Sequence, residues 1–233
     1  MRKRRFGRLL FFFFLVLGVL VFLNSDFFQV KDFEVVGMGN IDPQTIVPED
    51  EVLGHNIFHI DKDFLVDYAK KDPTIREVSI GRKLPATLVY YLEPREPLAW
   101  IQTGNKFFLV DEEGYSIKET EEIEELDLPL IKMDGVESEE EVRLDESNLV
   151  FCLKLLENLD PWVLEKISDV VLGRRRNIQL FLQDGGKILL GEAYSADELP
   201  GIIVGFMREL EDQLHLLEYL DLRFEGRPVY KLK

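Results

Sequence analysis

The sequence has one cysteine, Cys152, and three histidines in 233 residues. A single thiol excludes a disulfide framework and a cysteine-rich zinc site, and three imidazoles leave few ligands for a metal enzyme. Positive charge is also scarce: 28 Lys and Arg stand against 44 Asp and Glu, a formal net charge of −16. A general nucleic-acid binder needs a cationic face to meet phosphates, so no nucleic-acid partner is expected. Apolar material is plentiful, at 46% hydrophobic and 11% aromatic. That is too rich for a disordered chain and enough for a sizeable core in one or two domains.

The charges are unevenly placed. Arg2, Lys3, Arg4, Arg5 and Arg8 put five positive charges in the first eight residues, and no acid occurs before Asp26. The remainder carries 23 basic and 44 acidic residues. Between the two zones, residues 9–23 run LLFFFFLVLGVLVFL, without one polar side chain. Fifteen helical residues reach only ~22 Å against a hydrocarbon core of ~30 Å. Phe6 and Gly7 extend the run, Arg8 can snorkel, and Phe27 and Phe28 sit where interfacial aromatics are expected. The alternative is a cleaved signal peptide, but no A-x-A-like site follows. Four successive phenylalanines leave no polar face for a soluble helix. The expectation is an uncleaved single-pass anchor over 9–25, with a basic cytoplasmic tail over 1–8 and, by the positive-inside rule, an extracytoplasmic acidic body.

The next segment reads strand, helix, helix, strand, strand. Residues 30–36 alternate and are β-branched, as a strand requires. Gly37 to Asn40 form a turn, and Asp42-Pro43 opens a short helix. Gly54, His55 and Asn56 break the chain. Asp61 caps a second helix with the apolar set Phe64, Leu65, Tyr68 and Ala69. Strands over 75–82 and 86–93 follow, with Leu88, Tyr90 and Leu92 on one face. Pro94 and Pro97 mark a boundary. Beyond it, 100–117 reads as a meander, and 119–125 and 137–141 as exposed acidic connections. A helix spans 148–159 with Leu149, Leu153 and Leu156 in one stripe. Strands cover 170–172, 178–182 and 187–190. Ser195 and Glu198 form a capping box before a second apolar helix. Strands over 219–224 and 229–232 close the chain. The fold class is therefore α+β.

The residues supply no reaction centre. His55-x-x-x-His59 has helical ligand spacing, but Gly54 and Asn56 argue against a helix through both, so no metal site is expected. Asp111 to Gly114 lacks the alternating ligands of a calcium loop and reads as a turn. Cys152 lies in an apolar helical stretch and reads as buried packing. The serines lack a nucleophile-elbow context, and no carboxylate pair is placed in an apolar pocket. Arg174, Arg175 and Arg176 read as a solvated loop. No catalytic residue and no cofactor is expected.

Several strings in this order resemble one family. The anchor followed by strand–helix–helix–strand–strand resembles a POTRA (polypeptide-transport-associated) domain. Phe33-Glu34-Val35-Val36-Gly37-x-x-Asn40 is similar to the start of that domain in the bacterial cell-division family FtsQ, called DivIB in Gram-positive bacteria. Asn56-Ile57-Phe58-x-Ile60-Asp61 is similar to its link into the second helix. Val78-x-Ile80-x-Arg82-x-Leu84-Pro85-x-Thr87-Leu88, then Arg95-x-Pro97-Leu98-Ala99, resemble its strand pair and the entry to its β domain. Phe108-Leu109-Val110-Asp111-x-x-Gly114, Leu128-Pro129-Leu130-Ile131 and Tyr219-Leu220-Asp221-Leu222-Arg223-Phe224 are similar to strings of that second domain. One departure is Pro94-Arg95 where the family usually has Glu-Arg.

The resemblance implies a POTRA domain over 26–96 and, over 97–233, a mixed β-sheet domain with two flanking helices. It implies a non-enzymatic divisome scaffold at the septum. Such proteins bind two bitopic coiled-coil partners, FtsL and FtsB (DivIC in Gram-positives), and help recruit and regulate the septal peptidoglycan synthase. Two other readings stay open: an extracytoplasmic POTRA chaperone-like module of secretion or envelope assembly, and a membrane-tethered envelope enzyme. The family's partners dock on the end of the β domain, which points to the closing strands. There alternation places Leu220, Leu222 and Phe224 on one face and Asp221, Arg223 and Glu225 on the other. The candidate partner-binding residues are Arg223, to pair a carboxylate in bidentate fashion, Tyr230 as an anchor, Arg227 at the rim, and Phe224, whose alternative place is the core.

Overall fold

The computed structural model describes residues 2–37, 43–123, 128–133, 146–174 and 176–233, with side chains for all of these except 2–6, 133 and 146. The described residues form a mixed α+β structure with two sheets. Two compact units divide at Arg95 and Glu96.

The first unit begins with helix α1 (Arg2–Leu23). Its described side chains have no buried face: Leu9, Phe11, Phe14, Leu17 and Leu20 all stand exposed. Among the described residues no helix is long and apolar enough to cross a membrane. The part of α1 with described side chains, 7–23, reaches about 26 Å at 1.5 Å per residue.

After α1 come β1 (Asp32–Val36), α2 (Pro43–Ile46), α3 (Glu49–Val52), α4 (Lys62–Ala69), β2 (Ile75–Lys83) and β3 (Thr87–Pro94). The sheet order is β1-β3-β2, with β3 parallel to β1 and antiparallel to β2. Asp61 caps α4 as the sequence predicts, accepting from the Asp63 and Phe64 amides at 3.0 and 3.2 Å. This satisfies two of the donors that open every helix. Leu65 and Ala69 turn inward, while Phe64 stands exposed. Leu88, Tyr90 and Leu92 are buried together, and the core gathers Ile46, Val52, Ile57 and Leu65 with them. The structure corrects the sequence reading at two places. The first strand starts at Asp32, because Gln29 is bridged to Asn56 and the Val30 amide donates to the His55 carbonyl. The short helix α3 is absent from the sequence reading: its four residues carry three acids and too little periodicity. The Gly37 to Asn40 turn beyond Gly37, and the Asp42 cap, lie outside the described residues.

The second unit holds β4 (Ala99–Thr103), β5 (Lys106–Val110), β6 (Ser116–Thr120), β7 (Leu130–Met133), α5 (Glu146–Glu157), α6 (Pro161–Leu164), β8 (Ile167–Leu172), β9 (Ile178–Leu182), β10 (Lys187–Leu190), α7 (Leu199–Glu209), β11 (Leu217–Asp221) and β12 (Val229–Leu232). They form one nine-stranded sheet, in the order β12-β11-β10-β9-β8-β7-β4-β5-β6. The pairs β4–β7, β7–β8 and β10–β11 are parallel and the rest antiparallel. Leu155 and Leu156 of α5 and Ile203 and Met207 of α7 join Ile131, Val170, Leu180, Ile188 and Leu220 of the sheet in one core. Short helix α6, capped by the Asp160 carboxylate on the Trp162 amide, adds a third helix to the two expected.

Asp111 holds the β5–β6 turn, accepting at one oxygen from the Glu113 and Tyr115 amides at 3.0 and 2.8 Å. The capping box forms only in half. Glu198 Oε2 accepts from the Ser195 amide and hydroxyl, at 2.9 and 2.8 Å, so the serine hydroxyl donates to the glutamate in place of capping the helix. The acidic stretch 137–141, part of 119–125, and Arg175 lie outside the described residues. Arg176 is not solvated as a free loop residue. Its guanidinium lies 4.7 Å from the Phe151 ring centroid.

Candidate partner edge

The nine-stranded sheet ends in β12, whose single neighbour among the described residues is β11. The sequence builds this edge from a buried strand, a tight turn and an exposed strand. In β11, Leu217 and Leu220 are buried, and beyond the strand the Leu222 amide still donates to the Leu189 carbonyl of β10 at 2.9 Å. The chain then leaves the sheet. The Asp221 carboxylate accepts from the Arg223 amide at 3.0 Å, which bends the backbone, and from Nε and Nη2 of the same arginine at 2.9 and 2.6 Å. Gly191 makes room for the bend: a Cβ there would lie 3.2 Å from Arg223 Cα. Gly226, at φ +65°, supplies the left-handed position of the turn. Its amide donates to the Tyr194 hydroxyl at 2.8 Å.

In β12, Val229, Tyr230 and Lys231 are exposed. The Lys233 amide donates inward to the Leu216 carbonyl at 2.8 Å. By the alternation of an antiparallel ladder, the backbone groups of Tyr230 and Leu232 point away from β11. The Tyr230 ring is backed by Phe206 of α7, with centroids 6.5 Å apart at 63°. Lys231 pairs with Glu218 at 2.6 Å.

The four candidate residues fall into different places. Tyr230 and Arg227 stand towards solvent, the tyrosine exposed and the arginine in the turn before β12. Phe224 does not continue the inward face of Leu220 and Leu222: it sits in the turn at 62% exposure, because the strand stops at Asp221. Arg223 has its bidentate carboxylate within its own chain, in Asp221. That aspartate is only 9% exposed and does not share the outer face assigned to it. The hydrogen bond from the Arg223 side chain holds the Asp221 carboxyl below the usual carboxylate range, and the same bond raises the arginine. Sequence reasoning missed Phe206, Tyr194 and Val229. Phe206 was legible only as one member of a helical stripe, and nothing local ties Tyr194 to Gly226, 32 residues away.

Among the described residues no second site competes on chemistry. His55 lies in a bend and His59 in a turn, so no helix carries both. They line a cavity of about 320 Å³ with Glu51, Asp61 and Phe64. Among the described residues no group of three or more His, Cys, Asp or Glu is placed to hold a metal ion. Cys152 is wholly buried, and burial pushes its thiol up to about 12.

Three comparisons bear on what this architecture is. A DivIB cell division protein of Clostridium botulinum is 23% identical over 246 residues, covering 100% of this chain and 93% of the relative. An FtsQ cell division protein of a Geobacter species is 28% identical over 186 residues, covering 76% of this chain and 66% of the relative. Among solved structures, the major extracytoplasmic domain of DivIB from Geobacillus stearothermophilus, in its trans isomer, aligns with 52% of this chain and 98% of that chain. Identity there is 14% and the TM-score 0.35, a loose likeness. The family model for the C-terminal region of cell division protein FtsQ/DivIB matches residues 99–223. That match takes in β4 to β11, more than half of the sequence, and the chain belongs to the FtsQ/DivIB family of cell division proteins.

Proposed function

We propose that the chain is a non-enzymatic scaffold of the division machinery. In this reading α1 anchors it in the cell membrane, with the basic tail in the cytoplasm and the body extracytoplasmic at the septum. Five basic residues before the apolar run, and none of its described side chains buried, support the anchor. The full helix has 22 residues and is about 33 Å long, comparable to a ~30 Å hydrocarbon core. The unit before Glu96 acts as a POTRA domain, supported by its order of one strand, the helices α2 to α4, and two further strands. The second unit receives bitopic partners of the FtsL and FtsB/DivIC type and through them helps recruit or regulate the septal peptidoglycan synthase.

The observation that carries this reading is the β12 edge. It offers outward backbone donors and acceptors beside exposed Val229, Tyr230 and Phe224. A partner strand can add there, its backbone supplying affinity and its side chains specificity. The test is co-purification of the full chain from detergent. FtsL-type and FtsB/DivIC-type proteins should be retained with it, and their absence at every mild detergent tried would overturn the scaffold reading.

A further inference from the structure

A cluster of aromatic rings surrounds the foot of α1. Phe22, in the last turn of the helix, stacks on Phe27 with centroids 5.8 Å apart at 25°. Phe28 packs on Phe22 and Phe27 at 5.2 and 5.1 Å, and Phe58 packs on Phe28 at 5.2 Å. Phe28 is buried, but Phe27 is 55% exposed and Phe58 37%. The end of the helix is also tied to the rest of its unit. The Leu20 carbonyl accepts from Asn24 Nδ2 at 2.8 Å and the Phe22 carbonyl from Ser25 Oγ at 2.7 Å. The Leu23 carbonyl accepts from Asn56 Nδ2 at 2.7 Å, a bond spanning 33 residues. The Leu20, Phe22 and Leu23 carbonyls at the end of the helix thus accept from side chains of the same unit, and Leu20 and Phe22 also accept from the Asn24 and Ser25 amides.

We propose that Phe27 and Phe58 form a lipid-facing collar that inserts into the interfacial layer of the bilayer and fixes the height of the first unit above the membrane. This rests on α1 being the anchor. Geometry then sets the depth. Phe27 cannot lie more than 5.8 Å in depth from Phe22, a ring of the spanning helix itself. Phe58 lies within about 10 Å of Phe22 through Phe28, and each interfacial layer is about 5–8 Å thick. Aromatic side chains favour that layer, where their apolar area leaves water. A bilayer is the one occupant continuous with the apolar surface of α1.

Spin-label depth measurement on the full chain in lipid nanodiscs tests the collar. Cys152 is the one native thiol and is wholly buried, so label goes to introduced cysteines. Phe27→Cys and Phe58→Cys are compared with Leu20→Cys in α1 and Glu225→Cys in the β11–β12 turn. All four sites are exposed, and because Phe27 and Phe58 also pack on Phe28, an unchanged melting temperature of each labelled variant is required before depths are compared. Labels at 27 and 58 should show several-fold less collision with a water-soluble nickel chelate than the label at 225, and more collision with oxygen. Labels at 27 and 58 as nickel-accessible as 225, with 20 in lipid, would overturn the collar and leave the anchor standing. A nickel-accessible label at 20 would overturn the anchor and the collar with it.

Discussion

The two edges of the nine-stranded sheet differ in what they show to solvent. At one end β6 exposes Ser116, Lys118 and Glu119, with Glu119 paired to Lys106 of β5 at 2.6 Å. At the other, β12 exposes Val229 and Tyr230, with Phe224 beside them in the preceding turn. Unpaired strand edges template association, and charge on an edge suppresses it. By that standard, among the described residues, β6 is the more charged edge and β12 the more apolar one. Lys231 of β12 is paired to Glu218 as Glu119 of β6 is to Lys106, so the contrast rests on the exposed Val229, Tyr230 and Phe224.

The sharpest way to break this contrast is to remove one outward donor. Tyr230→Pro deletes an amide that points away from β11, and Pro is tolerated on an edge strand only where its missing N–H faces solvent. It should abolish partner co-purification while far-UV circular dichroism and the urea unfolding midpoint of residues 26–233 stay native. Retained binding would mean the partner docks elsewhere. Next in size is the anchor ring. Tyr230→Ala keeps the backbone and removes the ring backed by Phe206, so affinity should fall by about 1–3 kcal/mol in titration calorimetry. An unchanged affinity would reduce β12 to backbone contact alone.

Arg223 sharpens the comparison from inside the fold. Its guanidinium closes on Asp221, so Arg223→Gln should destabilise by about 1–3 kcal/mol in urea unfolding, by weakening hydrogen bonds to a charged group. The depressed Asp221 carboxyl sets the sign of the pH effect. A folded value below the unfolded one contributes stability above the unfolded carboxylate value near ~4, lost as pH falls through the folded value. Below about pH 4 the wild type should therefore lose more stability than Arg223→Gln. Equal acid sensitivity would show that the pair contributes nothing to folding. The smallest effect belongs to Arg227 in the turn: Arg227→Ala should slow association in low salt and change affinity by less than about 1 kcal/mol. A larger loss would move the contact from the strand to the turn.

How much of this was legible in the sequence depends on distance along the chain. The Asp61 cap, the Leu88, Tyr90 and Leu92 face and the Asp111 turn are local patterns, and the structure has them. The order of the sheet is not local. β7 enters between β4 and β8 by parallel pairing, and four apolar-rich residues without alternation carry no sign of it. At the candidate edge, period-two reading fails beyond Asp221. Alternation assumes an unbroken strand, and the Asp221 carboxylate ends it by capturing the Arg223 amide. Phe224 is exposed for that reason, and Arg223 is bound to its own chain.

The most direct measurement is amide hydrogen exchange on residues 26–233, alone and with an FtsB/DivIC-type partner. The account predicts that the Tyr230 and Leu232 amides, unpaired across the sheet, become protected on binding, while the amides of Ser116–Thr120 in β6 do not change. Protection confined to β6 or to the first unit, with Tyr230 and Leu232 exchanging as in the free protein, would contradict it.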